Sequence, residues 1–337
     1  MTVRTETFMA ASDLPARRAK FIMEPYFPEA CLSLVEGKPG VGKSTLLASI
    51  AAAVSRGGDF IGQRLRMGTV VFMNGEDAVQ EVIIPRLITH GANRDNVIVL
   101  VNQSVTLDAH GMRLVRRILV KHKPALLVID PIVHFLGAGI DMHRANEVRQ
   151  FLASLQNLCK EFGTTCIVAR HLRKGGVGGA LERGYGSIDF TAAARSAVTF
   201  GRDPNNPNAL IFAHNKCNVG RIGGSHHFEL TTEGGRFGAA KMKWIGASDL
   251  SADDLVASPE NSEGASQSPR ESAQTFLVLA LRHGRRSALD VQSAAAKQGL
   301  SKRTLERAKQ ELNVVSVQSE GAWFWSLPEE TSQHVAE

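Results

Sequence analysis

Cysteine is scarce in this chain. Its four cysteines, Cys31, Cys159, Cys166 and Cys217, are scattered, and no two form a C-x-x-C pair. That argues against a disulfide framework or a thiolate zinc site and points to reduced thiols in a cytosol. Eleven histidines show no zinc-ligand spacing, so no structural metal is expected. The first thirty residues hold no continuous apolar stretch of the kind that forms a signal-peptide core. Residues 46–54, an apolar run of strong helix formers, are too few to span a bilayer, so no membrane partner is expected. No fixed-period repeat is present. What remains is a cytoplasmic protein with ample apolar content (43%) and a net charge of +6, which makes polyanionic partners plausible.

Against these absences one octet stands out. Gly37-Lys38-Pro39-Gly40-Val41-Gly42-Lys43-Ser44, followed by Thr45, fits the G-x-x-x-x-G-K-[ST] phosphate loop. Its glycines free backbone N–H groups to turn toward phosphate oxygens. Lys43 brings a point charge to the β- and γ-phosphates of ATP, and Ser44 a hydroxyl for Mg²⁺. An apolar run at 31–35 reads as the strand feeding the loop. The Ala/Leu-rich stretch after it reads as the helix whose N-terminus receives the phosphates.

Further apolar runs at 69–73, 97–101, 125–129 and 164–169 alternate with helical stretches at 79–89, 111–121 and 145–162. That alternation predicts an α/β fold with a mostly parallel sheet covered on both faces. Strand-like segments at 197–200, 209–213 and 227–230, joined by turns, are expected to extend the sheet as hairpins at one edge.

Residues 246–268 are rich in Ser, Ala and acids, and read as a flexible acidic linker. Pattern returns at Glu271, with helices at 273–282, 287–298 and 302–312 and a hairpin over 314–326. Three short helices and a hairpin make a winged helix-turn-helix plan. Between Arg270 and Glu311 nine Lys/Arg face four acids, an excess of five positive charges. The expected organisation is an arm (1–20), an ATPase domain (21–245), a linker (246–269), a winged helix-turn-helix domain (270–330) and a tail (331–337).

Several residues carry candidate chemistry. Asp130 ends an apolar strand ahead of Pro131, where a carboxylate joins Ser44 in holding Mg²⁺. Glu76, ahead of its neighbour Asp77, follows the second strand and can take a proton from attacking water. His171 follows the fifth strand; it reads equally as a structural residue and as a donor to the γ-phosphate. The glycine-rich basic segment 172–184, with Arg173, Lys174 and Arg183, reads equally as a loop wrapping a single strand of DNA and as an ordinary surface loop. Lys302, Arg303 and Arg307 suit duplex phosphates or base edges; a protein-binding role is the rival. Arg195 and Lys216 are candidates for a cation reaching a neighbouring subunit's γ-phosphate.

Taken together, the phosphate loop, Asn74-Gly-Glu-Asp77, Leu127-Val-Ile-Asp-Pro131, Arg170-His171 and the stretch from Gly184 to Ser196 resemble the RecA-fold P-loop ATPases of the RepA-type plasmid and phage helicases. The likeness covers roughly residues 20 to 245. It implies a hexameric ring with ATP held between subunits. It also implies Lys43 and Ser44 on phosphate and Mg²⁺, Glu76 as base, Asp130 on the metal and His171 as sensor. Lys216 stands where related replicative helicases often carry an arginine finger; Arg195 is the alternative. The function expected is a DNA-stimulated ATPase acting as a replicative helicase. An ATP-switched DNA-binding regulator and a recombination or repair ATPase are the alternatives. Whether a primase or initiator works alongside is left open by the sequence.

Overall fold

A computed structural model describes residues 8–102, 104–136, 144–172, 180, 189–232, 236–257, 276–277, 280–281, 284–297, 301–312, 314–319 and 322–328. The chain divides into two compact units, Met1–Pro259 and Glu260–Glu337.

The first unit is built on one nine-stranded sheet. Its strands are β1 (Leu32–Gly37), β2 (Val70–Asn74), β3 (Val97–Val99), β4 (Leu126–Asp130), β5 (Thr165–His171), β6 (Ser196–Asp203), β7 (Asn206–Cys217), β8 (Ser225–Thr231) and β9 (Lys241–Ser248). Their spatial order is β9-β8-β7-β6-β1-β5-β4-β2-β3. The six strands from β6 to the β3 edge are parallel; β7, β8 and β9 add antiparallel. This mixed α/β, mostly parallel architecture is that of a RecA-like P-loop core.

Every residue of β1, β2 and β4 is buried, which explains why these strands read as continuous apolar runs. Helix α1 (Lys43–Arg56) covers one face, packing Leu46, Leu47, Ile50 and Val54 against Phe72, Val128 and Ile167. Helices α3 (Ala109–His122) and α4 (Ala145–Phe162) cover the other, bringing Val115, Leu119, Leu152 and Leu155 against Leu32, Leu34 and Ile129. Asp108 caps α3 by accepting the His110 and Gly111 N–H groups. The expected helix at 79–89 is one π turn (Val79–Ile83) followed by α2 (Ile84–Thr89).

Two features depart from expectation. The edge strand β9 carries no apolar run, because Lys241, Lys243, Trp244 and Ile245 face solvent on an unflanked edge. The acidic linker expected from 246 onward is folded as far as residue 257. Strand β9 runs to Ser248, and α6 (Ala252–Ala257) buries Leu255 and Val256 with Ile211, Ala213 and Leu172. Those apolar residues suffice to dock one helical turn, which composition alone does not show. The rest of the expected linker, 258–269, lies outside the described residues. In the arm, residues 8–20 are exposed.

In the second unit, residues 276, 277, 280 and 281 are helical. They precede α7 (Ala288–Lys297) and α8 (Lys302–Glu311). A three-stranded sheet pairs β10 (Arg286–Ser287) and β11 (Val315–Ser319) with a central β12 (Ala322–Ser326). Leu277, Leu281, Val291, Leu305, Ala308 and Trp325 form its core. Ser301 caps α8 by accepting the Thr304 N–H at 3.2 Å.

Candidate nucleotide and catalytic site

The site forms where the parallel strands end. Gly37, Asn74, Asp130 and His171 are the last residues of β1, β2, β4 and β5, so the register of the sheet brings them to one rim. The phosphate loop turns between β1 and α1. Gly40 (φ +74°) and Gly42 (φ +99°) adopt left-handed conformations that side-chain-bearing residues rarely take. Gly37 is required for another reason: a Cβ there would lie 2.2 Å from the Phe200 carbonyl oxygen. Pro39 and Gly40 are exposed, which leaves the cradle open to solvent, whereas Val41 and Thr45 are buried.

Lys43 is the first residue of α1 and is only 5% exposed. Its Nζ donates to the carbonyls of Gly37 and Lys38, both at 2.8 Å, and lies 3.1 Å from Nδ1 of His171. Burial lowers its pKa to about 8, against the pull of Asp130 and Glu76. An ammonium has only donors, so Nδ1 of His171 accepts and the imidazole proton sits on Nε2. Burial, and then the charge on Lys43, push the His171 pKa down, which keeps the ring neutral near pH 7. Nε2 points toward Glu76, with Oε1 3.8 Å away.

Asp130 is almost wholly buried. Burial raises its carboxyl pKa, opposed first by a hydrogen bond from the Ser44 hydroxyl and then by the charge on Lys43. Asn74, to which sequence reasoning gave no role of its own, joins the two carboxylate-bearing segments. Its Nδ2 donates to Asp130 at 3.3 Å, and its Oδ1 accepts the N–H groups of Glu76 (3.1 Å) and Asp77 (2.7 Å). An Asn at a strand tip just before Gly was the available signal. Gly75 between them leaves room for His134, whose ring would meet a Cβ at 2.2 Å. Asp77 is engaged by Arg86 at 2.5 Å, whereas the Glu76 side chain is exposed.

The donor set suits Mg²⁺. The Ser44 hydroxyl and the Asp130 carboxylate are hard oxygen donors already in contact, and the Asp130 and Glu76 carboxylates both act on the ammonium of Lys43. Among the described residues no cluster of three or more His, Cys, Asp or Glu forms a metal site of its own.

Arg195 and Lys216 lie at the opposite end of the sheet. The Arg195 N–H donates to the carbonyl of Leu32, the first residue of β1, and Lys216 pairs with Ala197. Five residue steps along the strand separate Leu32 from Gly37, about 16 Å at roughly 3.3 Å each. Arg195 is exposed; Lys216 donates to the carbonyls of Thr191 (2.5 Å) and Ala192 (3.3 Å). Arg173, Lys174 and Arg183 lie outside the described residues, as does the side chain of Arg303. Lys302 and Arg307 are exposed on α8.

The AAA domain family matches residues 2–177, just over half of the chain, and that span takes in the loop, Asn74 to Asp77, Asp130 and His171. The chain belongs to that AAA domain family. It is also 27% identical over 145 residues to the DNA repair protein RadA of Aquifex aeolicus, a match covering 42% of this chain and 29% of RadA. To RadA of Streptococcus pneumoniae it is 27% identical over 148 residues, covering 43% and 31%. The match spans less than a third of the length of each of these relatives. The family match and the RecA-like core place the chain in the P-loop ATPase family, a class that binds nucleotide and usually Mg²⁺. Among the described residues no helix is long and apolar enough to cross a membrane.

Proposed function

We propose that this protein hydrolyses ATP with Mg²⁺ in a reaction stimulated by single-stranded DNA, working as a ring-forming replicative helicase of a plasmid, phage or integrated element. The observation that carries the reading is the line Lys43–His171–Glu76. It links a buried phosphate-binding lysine to an exposed carboxylate through a neutral imidazole, on the strand that runs directly into the basic segment 172–184.

In this reading the backbone of residues 37–45 and Lys43 hold the triphosphate, and Glu76 takes the proton of the attacking water. The proton on His171 Nε2 is available to a γ-phosphate oxygen, so hydrolysis would change what the start of segment 172–184 is bonded to. Ser44 and Asp130 would hold Mg²⁺, which supplies charge neutralisation of the phosphates. Lys216 or Arg195, too far from its own chain's loop, would complete a neighbour's site in a hexamer. Arg173, Lys174 and Arg183 would meet the single strand. The second unit would act as a winged helix-turn-helix, with Lys302, Arg303 and Arg307 against duplex phosphates or bases.

A second reading, a recombination or repair ATPase without unwinding activity, is favoured by the likeness to RadA. Strand-displacement assays with ATP, together with electron microscopy of the assembly on DNA, separate the two. Unwinding by closed rings supports the helicase; ATPase-active open filaments without unwinding support the second reading.

A further inference from the structure

Glu36 and Arg170 stand opposite one another on β1 and β5, one residue before Gly37 and His171 respectively. Both are fully buried. The Arg170 Nε donates to Glu36 Oε1 at 2.6 Å, and a second guanidinium N–H reaches the same oxygen. That guanidinium also donates to Thr191 Oγ1 at 2.8 Å and lies over the Phe190 ring, its Cζ 5.1 Å from the centroid. Phe190 and Thr191 belong to α5 (Asp189–Ala193), the first described helix after segment 173–188. One side chain therefore precedes that segment by three residues and grips the helix that follows it. Its partner carboxylate adjoins the phosphate loop.

Stability does not explain this pair. A buried ion pair gains little over apolar residues of similar volume, because desolvation offsets the attraction. Glu36 Oε2 is buried with no partner, so the carboxylate is only half satisfied, and burial raises its pKa. A half-satisfied buried charge suits a contact that rearranges. Thr199, opposite Glu36 on the other flank, is bonded by Asn215, whose own Oδ1 is also unpartnered.

We propose that Glu36 and Arg170 are positioning residues forming a buried ionic latch, which transmits the nucleotide state of the phosphate loop to α5. The proposal rests on the nucleotide-binding reading of residues 37–45, and its test separates the two. Neither residue touches nucleotide. The latch acts by tying the base of the phosphate loop to α5 through one guanidinium, a shared element that both sites can bias.

The test compares the full-length chain with the double variant Glu36→Gln/Arg170→Met, which removes both charges at once, and with the conservative variant Arg170→Lys. Amide hydrogen exchange over α5 (Asp189–Ala193) is measured with and without a non-hydrolysable ATP analogue and Mg²⁺, alongside affinity for the analogue. In the unaltered chain the analogue is expected to slow exchange over α5 by about tenfold. The double variant is expected to bind the analogue within about threefold of the unaltered chain while losing that slowing; Arg170→Lys is expected to restore part of it. Retention of the slowing in the double variant overturns the latch, as does its absence from an unaltered chain that binds the analogue. An unaltered chain that fails to bind the analogue removes the nucleotide reading and the latch with it. Slowing that depends on the latch, in a chain whose ATP turnover is indifferent to DNA, keeps the latch and removes only the DNA reading. Should the double variant prove unfolded by circular dichroism, Thr191→Val, which removes the guanidinium's hydrogen bond to α5 and leaves its contact with the Phe190 ring, carries the same comparison: a halved slowing supports the latch and an unchanged one overturns it.

Discussion

The Nζ of Lys43 lies 3.1 Å from Nδ1 of His171, across two elements separated by more than a hundred residues. The contact holds the imidazole proton on Nε2 and places a depressed-pKa ammonium beside a neutral ring. The ammonium donates to the carbonyls of Gly37 and Lys38. A triphosphate would replace these neutral partners with anionic ones, which favours the charged amine.

A pH dependence follows from that lysine. Its folded pKa of about 8 lies below the ordinary value of 10.5, so between those pH values the unfolded chain holds the extra proton. Stability of the nucleotide-free protein is therefore expected to rise across that window, by up to about 3 kcal/mol, while below pH 8 the desolvated charge is a standing cost. Denaturant titrations at pH 7.5 and 10, compared with Lys43→Met, check the sign: the variant should lose the rise. Binding of an ATP analogue at pH 9 should take up a proton, read by calorimetry in buffers of different ionisation enthalpy.

Glu76→Gln is expected to lower ATP turnover by about a hundredfold or more while leaving affinity for an ATP analogue within about threefold. Pre-steady-state kinetics with radiolabelled ATP distinguish loss of the chemical step from loss of binding. Turnover close to that of the unaltered enzyme would move the base to Asp77 or elsewhere.

Gly37→Ala places a methyl group 2.2 Å from the Phe200 carbonyl, a backbone atom that cannot swing aside. The expected cost is about 1–3 kcal/mol of stability, with a matching loss of nucleotide affinity as β1 shifts. Urea unfolding measures the first and fluorescent-nucleotide titration the second.

The parallel core was legible because strands β1, β2, β4 and β5 are buried on both faces and so read as unbroken apolar runs. The grouping of Lys43, Asp130, Glu76 and His171 at one rim was legible because Asp130 and His171 end apolar strands, Glu76 follows one, and Lys43 opens the helix after the loop. Asn74 was not, because its bridging role arises from the pairing of β2 with β4. The Glu36–Arg170 pair was hidden for a similar reason: two charged residues 134 positions apart meet only through the parallel register of β1 and β5. Strand β9 was missed because an edge strand with exposed lysines and tryptophan lacks the apolar signature, and α6 because one docked turn resembles a linker in composition.

In the second unit, Lys302→Glu with Arg307→Glu is expected to weaken duplex-DNA binding and to reduce the salt dependence of the affinity by about two phosphate contacts. Both side chains are exposed on α8, so the fold should persist. Fluorescence anisotropy across a salt series is the measurement. An unchanged slope would remove these residues from any DNA interface.

The most direct test of the whole account is ATP turnover by the full-length chain, with and without single-stranded DNA, beside Lys43→Ala. Mg²⁺-dependent turnover is expected to be raised by about tenfold or more by the strand, and abolished in the variant. Equal turnover by Lys43→Ala and the unaltered chain would contradict the active-site assignment, and turnover indifferent to DNA would contradict the proposed coupling.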